Sequence, residues 1–332
     1  MIKKNLAVLI LSGMAALPVV AADSDVLFSY EGKDYRLNQL QPWFQQSFYD
    51  AKLEAREQQN RLLEQAMVDM YIEKQAAKSG KTVDDLREEL FKVDAVSTEE
   101  IQALYDQFKD RIGRPLEEVE SGLRQELQGR KQQQVIGALI EKVKRETKFV
   151  SKLPEPEAPA LSMDLTPYPW KGGENAAVTI VEFADYNCGY CRRAKPEIDK
   201  IVKEYGNKIK MVYIDFPVTE RGVAGVSTQT GRGAFCAGQQ DKFWEFNDLA
   251  YEKAVTMDNP ASFAKTLKLD MKKFNTCLAS DESKKFVENS TKMATELGVT
   301  GTPTIFVNGQ KLQVSDVGKD LKAAIDKTLS TR

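Results

Sequence analysis

At 332 residues the chain is long enough for two domains, each with its own core. Its 47 basic and 49 acidic residues leave a net charge of −2, which excludes the strongly basic surface of a nucleic-acid binder or a polybasic membrane-surface protein. There is no histidine, which excludes His-ligated zinc and haem, Ser-His-Asp hydrolysis and the Cys-His pair of a thiol protease.

The chain opens Met1-Ile2-Lys3-Lys4, followed by an apolar run from Leu6 to Val20 and then Ala21-Ala22-Asp23. A basic start, a short apolar core and small residues before a cut after Ala22 predict a signal peptide over residues 1–22. A membrane anchor is the competing reading, but the run is short and broken by Ser12, Gly13 and Pro18. The mature protein is therefore expected outside the cytoplasm, in a Gram-negative-style periplasm if the source is bacterial. No later apolar stretch is long enough to span a bilayer.

Residues 23–34 predict a short strand pair, and 37–148 are helical in pattern. Leu63, Met67, Met70 and Tyr71 recur at helical spacing, as do Leu86, Leu90 and Phe91 in a shorter element. Ser97-Thr98-Glu99-Glu100 is a capping-box sequence ahead of Ile101, Leu104, Tyr105 and Phe108. Pro115 precedes a long amphipathic run through Leu116, Val119, Leu123, Leu127, Val135, Leu139 and Val143, about 45 Å as one helix. Such stripes form core seams; a helix this long also offers a face for dimerisation. Residues 23–150 resemble the N-terminal helical chaperone domain of the SurA and parvulin-type periplasmic foldases, on Asp34-Tyr35 in the opening strand pair, the helix order and Val96-Ser97-Thr98-Glu99-Glu100-Ile101. No parvulin catalytic domain follows, so the resemblance implies no proline-isomerase activity.

Residues 151–175 hold Pro154, Pro156, Pro159, Pro167 and Pro169 with Gly172 and Gly173, and predict an extended, semi-stiff linker rather than a packed segment. Beyond it, Val178 to Phe183 predicts a buried strand, Cys188 to about Tyr205 a helix, and Ile209 to Ile214 a parallel strand: a βαβ unit. A helical stretch of about 223–298 follows, with Phe235, Phe243, Trp244, Phe246 and Leu249 as its apolar mass. Strands at Thr304 to Val307 and Lys311 to Val314, joined by Asn308-Gly309, lead into a closing helix from Lys319 to Leu329.

Cys188-Gly189-Tyr190-Cys191 opens the first of these helices. The positive end of the helix dipole favours the Cys188 thiolate, the species that attacks disulfides, so the pair reads as a redox centre. Half a zinc site has the same spacing. Gly301-Thr302-Pro303-Thr304, ahead of a strand ending in Asn308-Gly309, stands where a thioredoxin fold places a cis-proline loop beside its dithiol. The fold class expected is thus an α/β thioredoxin fold with a helical insertion over residues 176–332, plus a separate mainly α-helical domain. Four cysteines allow three disulfide connectivities; Cys188–Cys191 with Cys236–Cys277 is favoured because the C-x-x-C pair closes locally. A four-cysteine zinc site is the rival, and it requires two distant single cysteines to converge on the dithiol.

Residues 165–332 resemble the four-cysteine, DsbA-like branch of the thioredoxin superfamily. The matching segments are Val181-Glu182-Phe183-Ala184-Asp185-Tyr186-Asn187-Cys188-Gly189-Tyr190-Cys191, Phe243-Trp244-Glu245-Phe246 and Leu297-Gly298-Val299-Thr300-Gly301-Thr302-Pro303-Thr304. The resemblance puts Pro196 where the family kinks its active-site helix and Glu182 on the buried acidic position beneath the dithiol. Cys188, exposed at the helix start, is the expected nucleophile, with Cys191 as the resolving thiol and Gly189-Tyr190 as the dipeptide between them. Arg192 and Arg193 either add positive potential or are simply solvated. Glu182, in an apolar strand, is expected to have a raised pKa and to relay the proton of Cys191, unless it faces solvent at an edge. Pro303, if cis, offers a backbone edge for strand-like pairing with an unfolded chain, and Thr302 could hydrogen-bond near the dithiol. A Thr at this place is common in the family among both isomerases and four-cysteine DsbA-like members.

The function expected is disulfide formation or reshuffling in unfolded or misoxidised exported proteins, with no organic cofactor, no metal and no nucleic acid. An oxidase would be renewed by a membrane redox partner. A reductase or isomerase would be kept reduced and would suit a homodimer built through residues 23–150. A holdase chaperone with an incidental dithiol is a third class.

Overall fold

The computed structural model describes residues 26–220, 225–253 and 259–331; the expected signal peptide and residue 223 lie outside the described residues. The chain divides into two compact units, Leu53–Pro156 and a second formed by residues 26–52 with 157–331. The division falls inside the first helix, so the opening hairpin belongs with the C-terminal unit.

That hairpin pairs β1 (Val26–Tyr30) antiparallel to β2 (Lys33–Arg36). The first helix, α1 (Pro42–Ser79), continues into the Leu53–Pro156 unit with α2 (Val83–Leu90), α3 (Thr98–Ile112) and α4 (Leu116–Thr147). Ser97 accepts from the Glu100 N–H at 3.2 Å while Glu100 accepts from the Ser97 N–H at 2.8 Å, the reciprocal cap that starts α3. Met67, Val68, Tyr71, Ile72 and Ala76 of α1 pack on Leu86, Leu139 and Val143. Of the expected four-residue stripe, Met67 and Tyr71 are buried, but Met70 is 69% exposed and Leu63 also faces outward; Val68 and Ile72 complete the buried face in their place. At 32 residues, α4 extends about 48 Å.

In the other unit, β3 (Trp170–Gly172), β4 (Val178–Ala184), β5 (Ile209–Asp215), β6 (Thr304–Val307) and β7 (Gln310–Lys311) form a five-stranded sheet in the order β3-β5-β4-β6-β7. β4 and β5 are parallel, joined by α5 (Gly189–Tyr205), and β6 returns antiparallel to β4. Between β5 and β6 lie α6 (Val226–Gly238), α7 (Phe243–Glu252), α8 (Asn259–Thr266), α9 (Met271–Leu278) and α10 (Asp281–Glu296); α11 (Val317–Ser330) closes the chain.

The sheet is buried on both faces, which explains the near-continuous apolar run of β4. Val178, Ile180, Met211, Ile305 and Val307 face Ala194, Ile198, Ile201, Leu321 and Ile325 of α5 and α11. Val181, Phe183, Val212, Ile214 and Phe306 face the other way, onto Ala294 of α10 and onto Leu161 and Tyr168. The last two residues correct the expectation of an unpacked proline-rich linker. Its prolines keep the backbone extended, but Leu161 and Tyr168 are buried, Leu161 N–H donates to the Gly309 carbonyl at 2.9 Å, and residues 170–172 join the sheet edge. β7 is shorter than expected, and Val314 is exposed beyond it.

Candidate active site

The parallel strands β4 and β5 end at Ala184 and Asp215, and the residues just after β4 build the site. Asp185 is buried, and its carboxylate accepts from the Asn187 N–H, the Ser227 hydroxyl, and the N–H and hydroxyl of Thr219, at 2.5–2.9 Å. The Asp185 carbonyl accepts from the Cys188 N–H at 3.0 Å. This ties down the turn that delivers Cys188 as the N-cap of α5, with Gly189 first in the helix and Cys191 one turn inside.

Cys188 is only 8% exposed and Cys191 fully buried, both as free thiols. The expectation of an exposed Cys188 is corrected by the loop at residue 302, which lies over it: the Cys188 thiol donates to the Thr302 carbonyl at 3.3 Å. The Thr302–Pro303 peptide is cis, and both residues are half-buried. Burial pushes the Cys188 thiol up, but hydrogen bonds from Thr302 and from the N–H groups of Cys191 and Tyr190 outweigh it and hold the thiol below its ordinary value. The Thr302 hydroxyl is buried and makes no hydrogen bond while Cys188 is a neutral thiol. Ionised sulfur is an acceptor, so that buried donor can serve whichever of the two thiols ionises. Cys191 is the opposite case: burial raises it strongly, and the charge of Glu182 adds to this.

Glu182 is buried on the middle of β4 rather than at an edge, and burial pushes its pKa up to about 7, with Lys195 and Lys171 drawing it down and Asp199 up. Lys195 bridges Asp199 and Asp248 at 2.6 and 2.7 Å, and Lys171 reaches Asp199 at 2.7 Å. Tyr190 is 70% exposed with the Arg193 guanidinium 4.5 Å over its ring. Arg192 is not merely solvated: it donates to the carbonyls of Tyr186, Tyr251 and Lys253. Cys236 and Cys277 are bonded to each other, which leaves neither sulfur free for a metal.

The sequence reading missed Asp215, Tyr186, Tyr213 and Tyr251. Asp215 is buried beside Asp185, and burial followed by that neighbouring charge pushes it up to about 8. A polar residue closing an otherwise apolar strand was the available signal, as a polar residue inside one was for Glu182. The tyrosines carried none, because aromatic residues in strands and helices read as core.

Two thiols of opposite acidity at a helix start, under a cis-proline loop and over a buried carboxyl, define a dithiol centre of the thioredoxin type. The chain belongs to the thioredoxin family: residues 166–327 match the family model described as Thioredoxin. Over 170 residues it is 31% identical to the "Probable disulfide bond formation protein D" of Bacillus anthracis, covering 48% of this chain and 76% of that protein. It is also 31% identical over 143 residues to the "Na(+)/H(+) antiporter NhaA 3" of Salinispora tropica, covering 42% of this chain but only 22% of the antiporter. The chain thus spans less than a quarter of the length of that relative. Among solved structures, a thioredoxin-like oxidoreductase from Silicibacter pomeroyi is similar at 27% identity and a TM-score of 0.44, over 49% of this chain and 93% of that one. Among the described residues, no helix is long and apolar enough to cross a membrane.

Proposed function

We propose that the chain is a thiol:disulfide oxidoreductase that forms or reshuffles disulfides in unfolded or misoxidised exported proteins, working in a periplasm. The observation that carries this reading is the contrast between the two thiols. Cys188 is held acidic at a helix start against Thr302, while Cys191 is held strongly protonated behind it. In the oxidised form, a client thiolate attacks Cys188, Cys191 is displaced, and a mixed disulfide forms. A second client thiolate then attacks the client sulfur of that bond. Cys188 departs as a stabilised thiolate, and the client leaves with its disulfide made. In the opposite direction, Cys188 opens a client disulfide and Cys191 resolves the mixed species.

A low Cys188 pKa makes it a good leaving group, which favours the oxidase direction and a membrane partner that restores the disulfide. The alternative is a dimeric isomerase or reductase. Its support is apolar surface on the N-terminal elements: Phe28 and Tyr30 of β1, with Trp43, Phe44 and Phe48 at the start of α1, are exposed. Such surface suits a second copy through residues 23–150 or an apolar client segment. The reduction potential of the dithiol in glutathione buffers decides the direction. A value at the oxidising end of the family range supports the oxidase, and one near the compartment's own poise supports the isomerase. Sedimentation of the full chain tests the dimer. Client protection by Cys188→Ala at wild-type strength would replace both enzyme readings with a holdase.

A further inference from the structure

Behind Cys191 lies a set of buried hydroxyls that thiol exchange at Cys188 does not itself require. Tyr213 of β5 is in register with Glu182 of β4, so the two side chains leave the same face of the sheet side by side. The Tyr213 and Tyr251 hydroxyls are 2.9 Å apart, the latter brought by α7. The Tyr186 ring packs on both, with centroids at 5.6 and 5.1 Å, and its hydroxyl accepts from Asn247 Nδ2 at 3.2 Å. All three tyrosines are buried in one core cluster with Cys188 and Cys191. Phenylalanine would fill the same space without desolvating a hydroxyl. Arg192, the residue after Cys191, holds the carbonyls of Tyr186 and Tyr251 and so ties these tyrosines to the active-site helix.

We propose that Tyr251 and Tyr213 are positioning residues for the proton of Cys191: their paired hydroxyls reorient as charge moves between the thiol and the carboxylate of Glu182. The inference rests on the exchange chemistry proposed for Cys188 and Cys191. In resolution, Cys191 Sγ–H gives its proton to Glu182 and the Cys191 thiolate attacks Cys188 Sγ of the mixed disulfide. The Cys188–Cys191 bond forms, the Cys188–client bond breaks, and the client sulfur leaves as a thiolate that takes a proton from water. The protein dithiol is thereby oxidised by two electrons, and the client disulfide is reduced.

The groups facing Glu182 narrow the choice of what responds to that proton. From α5 come Cys191, Lys195 and Asp199, from the turn before it Tyr186, from β3 Lys171, from β5 Tyr213 and from α7 Tyr251, while its β6 partner Ile305 is apolar. Lys171 and Lys195 are already engaged by Asp199 and Asp248, two charges of each sign in fixed pairs. The paired hydroxyls can exchange donor and acceptor roles without either ring moving.

The test mixes reduced full-length protein with glutathione disulfide, quenches with acid between pH 5 and 9, and follows the mixed disulfide by mass. In Tyr251→Phe and in the Tyr213→Phe/Tyr251→Phe pair, resolution should slow by about tenfold and its pH midpoint should shift, as expected when one hydrogen-bonding interaction is lost. The alkylation profile of Cys188 should stay as in wild type. Added to Glu182→Gln, Tyr251→Phe should cost nothing more, because the acceptor is already gone. Wild-type resolution and pH profile in the double variant would overturn the proposal, as would a pH-independent loss that adds to Glu182→Gln. Should the variants not fold, 3-fluorotyrosine labelling of the wild-type sequence serves instead: the carboxyl stretch that disappears in Glu182→Gln must shift, and its constancy would overturn the proposal. If wild type forms no mixed disulfide at all, the exchange reading has failed rather than this one.

Discussion

Glu182 and Asp215 stand on one face of the sheet, and burial raises both carboxyls, to about 7 and about 8. In the unfolded chain such groups titrate near 4. The folded state therefore holds their protons more tightly, and as pH rises from about 4 to 8 stability is lost. Asp215→Asn should flatten this decline and leave the protein more stable than wild type at pH 9, by about 2–3 kcal/mol after relaxation of the site. Urea unfolding at pH 5 and pH 9 measures it, and parallel losses in the two proteins would count against the buried ionisation. Thr302→Val keeps the shape of the loop but removes a hydroxyl that lowers the Cys188 thiol. The Cys188 pKa should rise by about one unit, read from the pH dependence of alkylation.

At the scale of elements, the turn between β6 and β7 shows how a local signal becomes a tertiary constraint. Asn308 and Gly309 both have positive φ, 48° and 81°, as a two-residue hairpin turn requires. The Asn308 side chain accepts from the Thr179 N–H at 2.7 Å and donates to the Ala177 carbonyl at 3.2 Å, pinning the turn to the start of β4. A Cβ on Gly309 would lie 2.5 Å from the Leu161 carbonyl oxygen. Gly309→Ala should therefore cost about 2 kcal/mol or more, partly through backbone strain and partly by displacing the 157–169 segment from the sheet. Equal unfolding midpoints for variant and wild type would show that the segment yields freely. The helix–helix contact at Gly233 is similarly close: a Cβ there would lie 2.8 Å from Phe246 Cζ and 2.9 Å from Pro260 Cβ.

For the whole molecule, the Cys236–Cys277 bond closes a sequence separation of 41 residues within the helical insertion. Chain-entropy reasoning assigns a loop of that size about 4 kcal/mol. Replacing both cysteines by Ala should lower unfolding stability by roughly 3–4 kcal/mol, because Cys236 is fully buried in the cluster that also holds Cys188 and Cys191. The fraction that stays folded should keep its thiol-exchange rate with small disulfides. Denaturation under non-reducing conditions gives the first quantity and stopped-flow exchange the second. A large drop in exchange rate without loss of structure would assign the bond a part in the chemistry.

Local chemistry was legible in the sequence. The Ser97–Glu100 box starts α3, the apolar run at 178–183 forms a strand buried on both faces, and Asn308-Gly309 makes the hairpin. The C-x-x-C pair sits at a helix start with Pro303 in the loop above it. Each depends on backbone preferences or side-chain periods that operate over a few residues. Tertiary structure decided what lies against what. It buried Cys188 beneath Thr302, turned Met70 outward, packed Leu161 and Tyr168 onto the sheet, and brought Tyr213 and Tyr251 together across 38 residues. Burial and the acidity it sets belong to the neighbours a residue acquires on folding, and those neighbours come from distant elements that no local pattern names.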